Sequence, residues 1–206
     1  MFIHRTPWPI RKLYPQLTWS KRTAQTIYLT FDDGPIPVIT PFIQQTLSKF
    51  DVQATFFCVG ENIKKYNDVA QASIEAGHKI ANHTFNHLNG WQANKNLYSH
   101  NIELCESLIN KLGVDNGLFR PPYGRITRKQ IKIIKTSYEI VMWDVLTGDF
   151  SNNVSPEDCL QHSINATRDG SIVLFHDNIK AENNLRYALP RYIEHFLEMG
   201  FRFSLL

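Results

Sequence analysis

The chain reads as an α/β protein whose mainly parallel sheet, or small incomplete barrel, is faced by helices. Three observations predict this. From residue 26 onward, short apolar runs alternate with longer amphipathic stretches, the rhythm of a chain that lays a helix over successive strands. Seven strand-like runs occur within 206 residues, fewer strands and a shorter chain than a regular eight-stranded barrel of about 250 residues. Polar residues gather just past the ends of five of those runs, where folds with parallel strands place their sites.

Residues 1–25 lack clear periodicity and are expected to wrap the body as an N-terminal arm, leaving 26–206 as one domain. The strands are expected at 26–31, 54–59, 79–82, 118–120, 139–143, 171–175 and 201–205. Thr40-Pro41 reads as N-cap and first helical position before Ile43, Leu47 and Phe50. Ile102, Cys105, Leu108, Ile109 and Leu112 trace a helix face that stops at Gly113. Ser155-Pro156-Glu157-Asp158 supplies a cap, a first-turn Pro and an acid at the third position. Leu185, Leu189, Tyr192, Ile193, Phe196 and Leu197 form the last stripe, which ends at Gly200. Such stripes are core surfaces and carry no chemistry.

With 43% hydrophobic, 12% aromatic and 20% charged residues, the chain can bury a sizeable core, which excludes wholesale disorder and a disulfide-framework miniprotein. Lys and Arg number 22 against 19 Asp and Glu, too slight an excess to mark a nucleic-acid partner. Cys58, Cys105 and Cys159 stand far apart without a CxxC pair and read as buried thiols. No apolar run approaches the roughly 20 residues of a spanning helix, so no membrane insertion is expected. The N-terminal segment shows no hydrophobic leader, which predicts a cytoplasmic protein as the chain stands, or a periplasmic or extracellular one where a leader has been trimmed.

In Thr30-Phe31-Asp32-Asp33-Gly34-Pro35 two adjacent carboxylates leave an apolar strand and meet a Gly-Pro turn, which can bring both toward one mouth. Such a pair repels unless a cation or an Arg neutralises it; taken alone, a solvated turn is the simpler reading. His83 and His87 stand four apart, a spacing that puts both rings on one side of a helical turn within reach of one metal ion. An Asp as third ligand makes a two-His-one-carboxylate site with positions open for water and substrate, and a chance pair of surface histidines is the alternative. Arg120, in Phe119-Arg120-Pro121-Pro122-Tyr123-Gly124, can orient an aspartate or cap a loop. The segment 143–150 offers Asp144 and Asp149 with Trp143 and Phe150. His176 ends a nearly all-apolar strand, a position that separates it from an ordinary core histidine. His4, His78, His100, His162 and His195 lack companions at useful spacing and read as structural or exposed.

Taken in order, TFDDGP at 30–35, HTFNH at 83–87, RPPYG at 120–124, WDVLTGDF at 143–150 and LFHD at 174–177 resemble the five motifs of the polysaccharide deacetylase family, the NodB-homology carbohydrate esterases. The resemblance covers about residues 26–206. It implies a distorted (β/α)7 barrel, and removal of N-acetyl, sometimes O-acetyl, groups from N-acetylglucosamine-type sugars or polysaccharides by metal-activated water. It implies one divalent ion, Zn by default with Co, Ni or Fe also fitting, on Asp33, His83 and His87. Asp32 would be the general base, paired with Arg120, and His176 the general acid, held charged and oriented by Asp149. The Tyr123 backbone N–H would help hold the oxyanion, while Trp143 and Leu174 would wall the acetyl pocket. An N-acetylated sugar or glycan is the implied partner. Phe150 stands where the family usually has Trp, and Leu146 where a polar or acidic residue is common, so the sugar-facing wall is expected to differ.

Three other readings stand against this one: a same-fold hydrolase of small non-sugar amides, a carbohydrate-binding protein without turnover, and a non-haem iron oxygenase using the same facial ligands. The intact set of ligands and proton carriers favours catalysis, and no oxygenase cosubstrate site shows in the sequence.

Overall fold

The computed structural model describes residues 3–115 and 117–206. In chain order its elements are α1 (Trp8–Leu13), β1 (Thr26–Asp32), α2 (Ile39–Lys49), β2 (Thr55–Cys58), α3 (Gly60–Lys65), α4 (Asn67–Glu75), β3 (Lys79–Asn82) and α5 (Lys95–Lys111). There follow β4 (Leu118–Phe119), α6 (Arg128–Ile134), β5 (Glu139–Ile140), β6 (Val145–Leu146), α7 (Pro156–Ala166), β7 (Ile172–His176), α8 (Glu182–Glu198) and β8 (Arg202–Phe203). The strands pair in the order β5-β4-β3-β2-β1-β7-β6, all parallel, with β8 beside the first two residues of β1. This is the distorted α/β barrel that the motifs imply.

The central strand β1 is buried along its whole length, and its alternation sorts its side chains to two faces. Ile27, Leu29 and Phe31 pack toward the helices with Ile43, Leu47, Phe56, Leu189 and Tyr192. Tyr28 joins Phe57, Ala81, Leu118, Val141 and Ile172 on the other face, inside the barrel. Each fully buried Leu, Ile or Phe contributes about 1.5–3 kcal/mol, so the helix-facing layer carries much of the stability. The inner face is free to turn polar at Thr30 and Asp32, both buried.

Caps explain several helix ends. The Ser155 hydroxyl accepts from the Asp158 N–H with Pro156 in the first turn of α7, and α5 and α8 end just before Gly113 and Gly200. At α2 the structure corrects the expectation: the helix begins at Ile39, so Thr40 and Pro41 lie inside its first turn. The Thr40 hydroxyl serves tertiary partners instead, accepting from the Ile36 N–H and donating to Asp177. Pro41 is harmless there because the first four N–H groups of a helix have no intrahelical acceptor.

Among the described residues eight strands are present, not seven. The expected run 139–143 is a strand only at β5, and β6 is a separate strand against β7; a two-residue strand is too short to show alternation. Helices α1, α3, α4 and α6 also went unread, although Thr127 and Gln130 form a capping box at α6.

The N-terminal segment covers both ends of the sheet path, where strand edges would otherwise be bare. Beside β6, the Thr6 N–H donates to Asp144 O and the Leu146 N–H to His4 O; beside β5, the Thr18 N–H donates to Ile140 O and the Met142 N–H to Thr18 O. Buried Asp144 anchors this segment: one oxygen accepts from Ser171 Oγ at 2.6 Å and the other pairs with Arg11 and Arg5. Among the described residues, no helix is long and apolar enough to cross a membrane.

Arg11→Met leaves buried Asp144 with only Ser171 and half-exposed Arg5 as partners. We expect a loss of about 3 kcal/mol in unfolding free energy, measured by urea denaturation, because one partner of a buried ion pair is removed.

Candidate active site

Parallel register sets Asp32 level with Phe57 and His176, and Asn82 level with Phe119. The residues that follow these strand ends therefore emerge at one mouth. A cavity of about 600 Å³ opens there, lined by Asp32, Asp33, His83, His87, Tyr123, Trp143, Leu174 and His176. Arg120 and Asp149 lie fully buried behind it. The structure thus brings together every site residue read from the sequence.

His83 and His87 do not occupy a helical turn, as their spacing suggested. They sit on an irregular loop with Thr84 at φ 66° and His87 at φ 56°. Tertiary bonds hold this loop: Asn82 Oδ1 accepts from the Thr84 N–H, Asn101 Oδ1 from the Phe85 N–H, and the Gly60 and Glu61 N–H groups at the start of α3 donate to Thr84 O and Phe85 O. The strained loop still points both rings at Asp33. His83 Nε2 lies 3.7 Å and His87 Nε2 3.1 Å from Asp33 Oδ1, and the three residues offer ligand atoms all within 4.8 Å of one another.

The donor set fits a divalent cation. His83 Nδ1 lies 2.8 Å from Arg120 O, and since a carbonyl can only accept, the proton sits on Nδ1 and the Nε2 lone pair faces Asp33. Burial lowers the His83 pKa to about 4, against the opposing pull of Asp32 and Asp33, so the ring is neutral and ligand-ready at neutral pH. Burial alone would raise Asp33, but its hydrogen bond to His87 and the neighbouring His176 and His83 hold it well below the usual carboxylate range. Two imidazoles and a carboxylate from three positions leave sites open on the cavity side.

Two hydrogen-bonded charged pairs flank this centre. Arg120 Nη1 donates to Asp32 Oδ1 at 2.7 Å and to Thr30 Oγ1 at 2.9 Å, while Nη2 and Nε donate to Met142 O and Val141 O. Asp32 Oδ2 remains 3.8 Å from His83 Nε2. Across the site, His176 Nδ1 lies 2.8 Å from Asp149 Oδ1, and Asp149 Oδ2 accepts from the His176 N–H at 2.7 Å. Burial disfavours the imidazolium, but the Asp149 carboxylate overcomes it, with help from Asp33 and Asp32, and raises His176 to about 9.

Leu146 and Phe150, the two departures from the family pattern, both line the cavity, and the Phe150 ring meets His176 edge-on at 4.9 Å. Tyr123 holds φ 59°, a strained value for a non-glycine residue, and its hydroxyl lies 3.0 Å from His87 Nδ1. Asp144, by contrast, serves the N-terminal segment and takes no part in the cavity.

Sequence reasoning missed two supports of Asp33. Asn178 Nδ2 donates to Asp33 Oδ2 at 2.5 Å, leaving Oδ1 for the two imidazoles. Asp177 accepts from the Gly34 N–H and from Thr40 Oγ1; a side chain at Gly34 would collide with the Asp177 carboxylate. Burial pushes Asp177 up to about 8. These contacts join residues more than a hundred positions apart, so no local pattern announces them.

A parallel α/β barrel carrying an Asp-His-His cluster at its mouth, with an Arg–Asp pair and an Asp–His pair around it, defines the class of protein: an α/β barrel whose donor set fits a divalent cation. The comparisons make the class specific. The chain belongs to the polysaccharide deacetylase family, whose profile matches residues 20–138. A peptidoglycan-N-acetylglucosamine deacetylase of Bacillus cereus is 36% identical over 152 residues, 73% of this chain and 55% of that protein, so the match spans about half of that relative. A chitooligosaccharide deacetylase of Azorhizobium caulinodans is 31% identical over 162 residues, 76% of this chain and 75% of the other. The crystal structure of a peptidoglycan N-acetylglucosamine deacetylase in complex with 4-naphthalen-1-yl-N-oxidanyl-benzamide superposes with a TM-score of 0.90 at 31% identity, covering 98% of this chain and 95% of that one.

Asn178→Ala frees Asp33 Oδ2 and lets the carboxylate turn. Competition with a chromophoric chelator is expected to show divalent-metal affinity weakened by about tenfold or more, the usual effect of removing a partner that orients a ligand.

Proposed function

We propose that the protein is a metal-dependent hydrolase that removes N-acetyl groups from N-acetylglucosamine-type sugars or polysaccharides, with residues 26–206 as the catalytic unit and 1–25 as its arm. The carrying observation is the placement of Asp33, His83 and His87 within 4.8 Å of one another on a cavity shared with Asp32 and His176. A divalent ion held by these three residues, Zn by default, supplies a Lewis acid that activates water and polarises the acetyl carbonyl.

The chain's own residues do the proton work. Asp32, its charge balanced by Arg120, presents Oδ2 to the cavity and takes a proton from the attacking water. His176 is protonated at neutral pH and has Nδ1 engaged by Asp149, so its other nitrogen can protonate the departing amine as the C–N bond breaks and acetate forms. The Tyr123 backbone N–H serves as an oxyanion donor on the strained turn. Trp143, Leu146, Phe150 and Leu174 wall the cavity with apolar surface that excludes water and seats the acetyl methyl. No nucleophilic side chain is needed, and the free thiols of Cys58, Cys105 and Cys159 are all buried.

Chelation of the wild type, or His83→Ala, is expected to abolish acetate release from N-acetylglucosamine oligomers, with Zn restoring the chelated wild type but not the variant. Unchanged turnover after either treatment would overturn the reading, and turnover of small amides but not of sugars in the same panel would move it to the non-sugar hydrolases.

His176 must carry its proton to act as the acid, so activity falls as pH rises through about 9. Asp149→Asn removes the charge that raises it, and the alkaline limb of kcat/KM is expected to move toward the ordinary value of 6.5. Activity at pH near 8 would drop about 30-fold, the fall in the protonated fraction of His176.

A further inference from the structure

From the cavity rim a strip of two aromatic rings and one guanidinium runs outward, and of its members only Tyr123 belongs to a motif. The Tyr123 ring, 60% exposed, packs edge-on against His87 at 4.5 Å. The Arg125 guanidinium lies 5.7 Å from the Tyr123 ring and 5.2 Å from the Trp91 ring. Trp91 itself is 65% exposed. Tyr123 lines the cavity, so the strip runs without a break from a metal ligand to an exposed indole.

Exposure of a single Trp needs no explanation; its fixation does. The Asn89 side chain accepts from the Trp91 N–H, and the indole Nε1 donates to Ile126 O. Gln130, buried, donates to Gly90 O and Ala93 O on either side of Trp91. Gly90 packs so closely on Arg125 O that a side chain there would collide with it. A large apolar face is thus held rigidly in solvent beside the cavity. Preorganised aromatic surface binds at little entropic cost.

We propose that Trp91, Arg125 and Tyr123 form a binding subsite for the sugar units next to the one being deacetylated. The proposal rests on the deacetylase reading and adds a preference for oligomers over single sugars. A pyranose ring is two-sided in the way the strip requires: its axial C–H face lies flat on an aromatic ring, while its hydroxyl and amide oxygens accept from a guanidinium. Charge complementarity with an acidic ligand is not needed, because Arg125 already sits against two ring faces that neutral sugars can share.

The test compares metal-loaded wild type, Trp91→Ala, Trp91→Phe and Arg125→Gln on N-acetylglucosamine dimer, tetramer and hexamer, reading acetate release and, separately, hexamer binding by calorimetry. We expect kcat/KM of the wild type to rise with chain length. Trp91→Ala should lose about tenfold on the hexamer, the scale of one aromatic contact, and less than about twofold on the dimer, with Trp91→Phe largely restoring the difference. Arg125→Gln should show a smaller loss of the same pattern. Equal losses on all lengths, or equal hexamer affinity in wild type and Trp91→Ala, overturn the subsite. Absence of acetate release by the wild type from every oligomer overturns the deacetylase reading instead, and the calorimetric comparison still decides whether the strip binds glycan.

Discussion

The buried guanidinium of Arg120 is the interaction on which the rest of the site depends. It lies inside the barrel, 4.0 Å above the Phe57 ring, and its donors are spent on Asp32, Thr30, Val141 and Met142. Its own carbonyl accepts from His83 Nδ1 and thereby sets the tautomer of a proposed metal ligand. One residue therefore balances the charge of the proposed base, aims an imidazole, and ties β1 and β2 to the chain beyond β5. A fixed cation with five donors can fill such a place only when nearly all of them are met, because an unpaired charge in that interior is severely destabilising.

The opposite side of the cavity is organised by the reverse device, a buried anion. Asp149 is fully enclosed, and its two oxygens engage both the ring and the backbone N–H of His176. Its own carbonyl is held by Asn184 on α8. The wall between these two centres is braced from outside by the N-terminal segment: the Thr6 hydroxyl donates to Trp143 O, and His4 bonds the backbone of Leu146 through both its carbonyl and its ring. His4 has no companion at useful spacing in the sequence, yet in the fold its ring lies tilted against that of His162, with centroids 4.6 Å apart. A segment without periodicity thus supports a wall formed more than a hundred residues later.

Much of the site was legible because its chemistry is packed into short motifs at strand ends. Asp32-Asp33, His83 with His87, Arg120, Asp149 and His176 each stand at the last residue of a strand or a few residues past it, and parallel register does the rest. What stayed hidden shares one property. Asn178, Thr40 and Asp177 act through hydrogen bonds that cross the sheet, and the short strand β6 exists only because β7 lies beside it. The His83–His87 spacing illustrates the limit: four residues apart suggested a helical turn, whereas left-handed residues and side-chain bonds from Asn82 and Asn101 produce the same convergence from a loop.

By itself the sequence determined the fold class, the family pattern and which polar residues gather at the strand ends, since hydrophobic alternation and strand-end motifs are local and survive without coordinates. Only the tertiary structure decided which oxygen of Asp33 faces the imidazoles, which nitrogen of His83 is bare, how His176 is kept charged and how an exposed indole is linked through Arg125 to the cavity's Tyr123. Those outcomes depend on desolvation and on partners distant in the chain, and both come into being when the barrel closes.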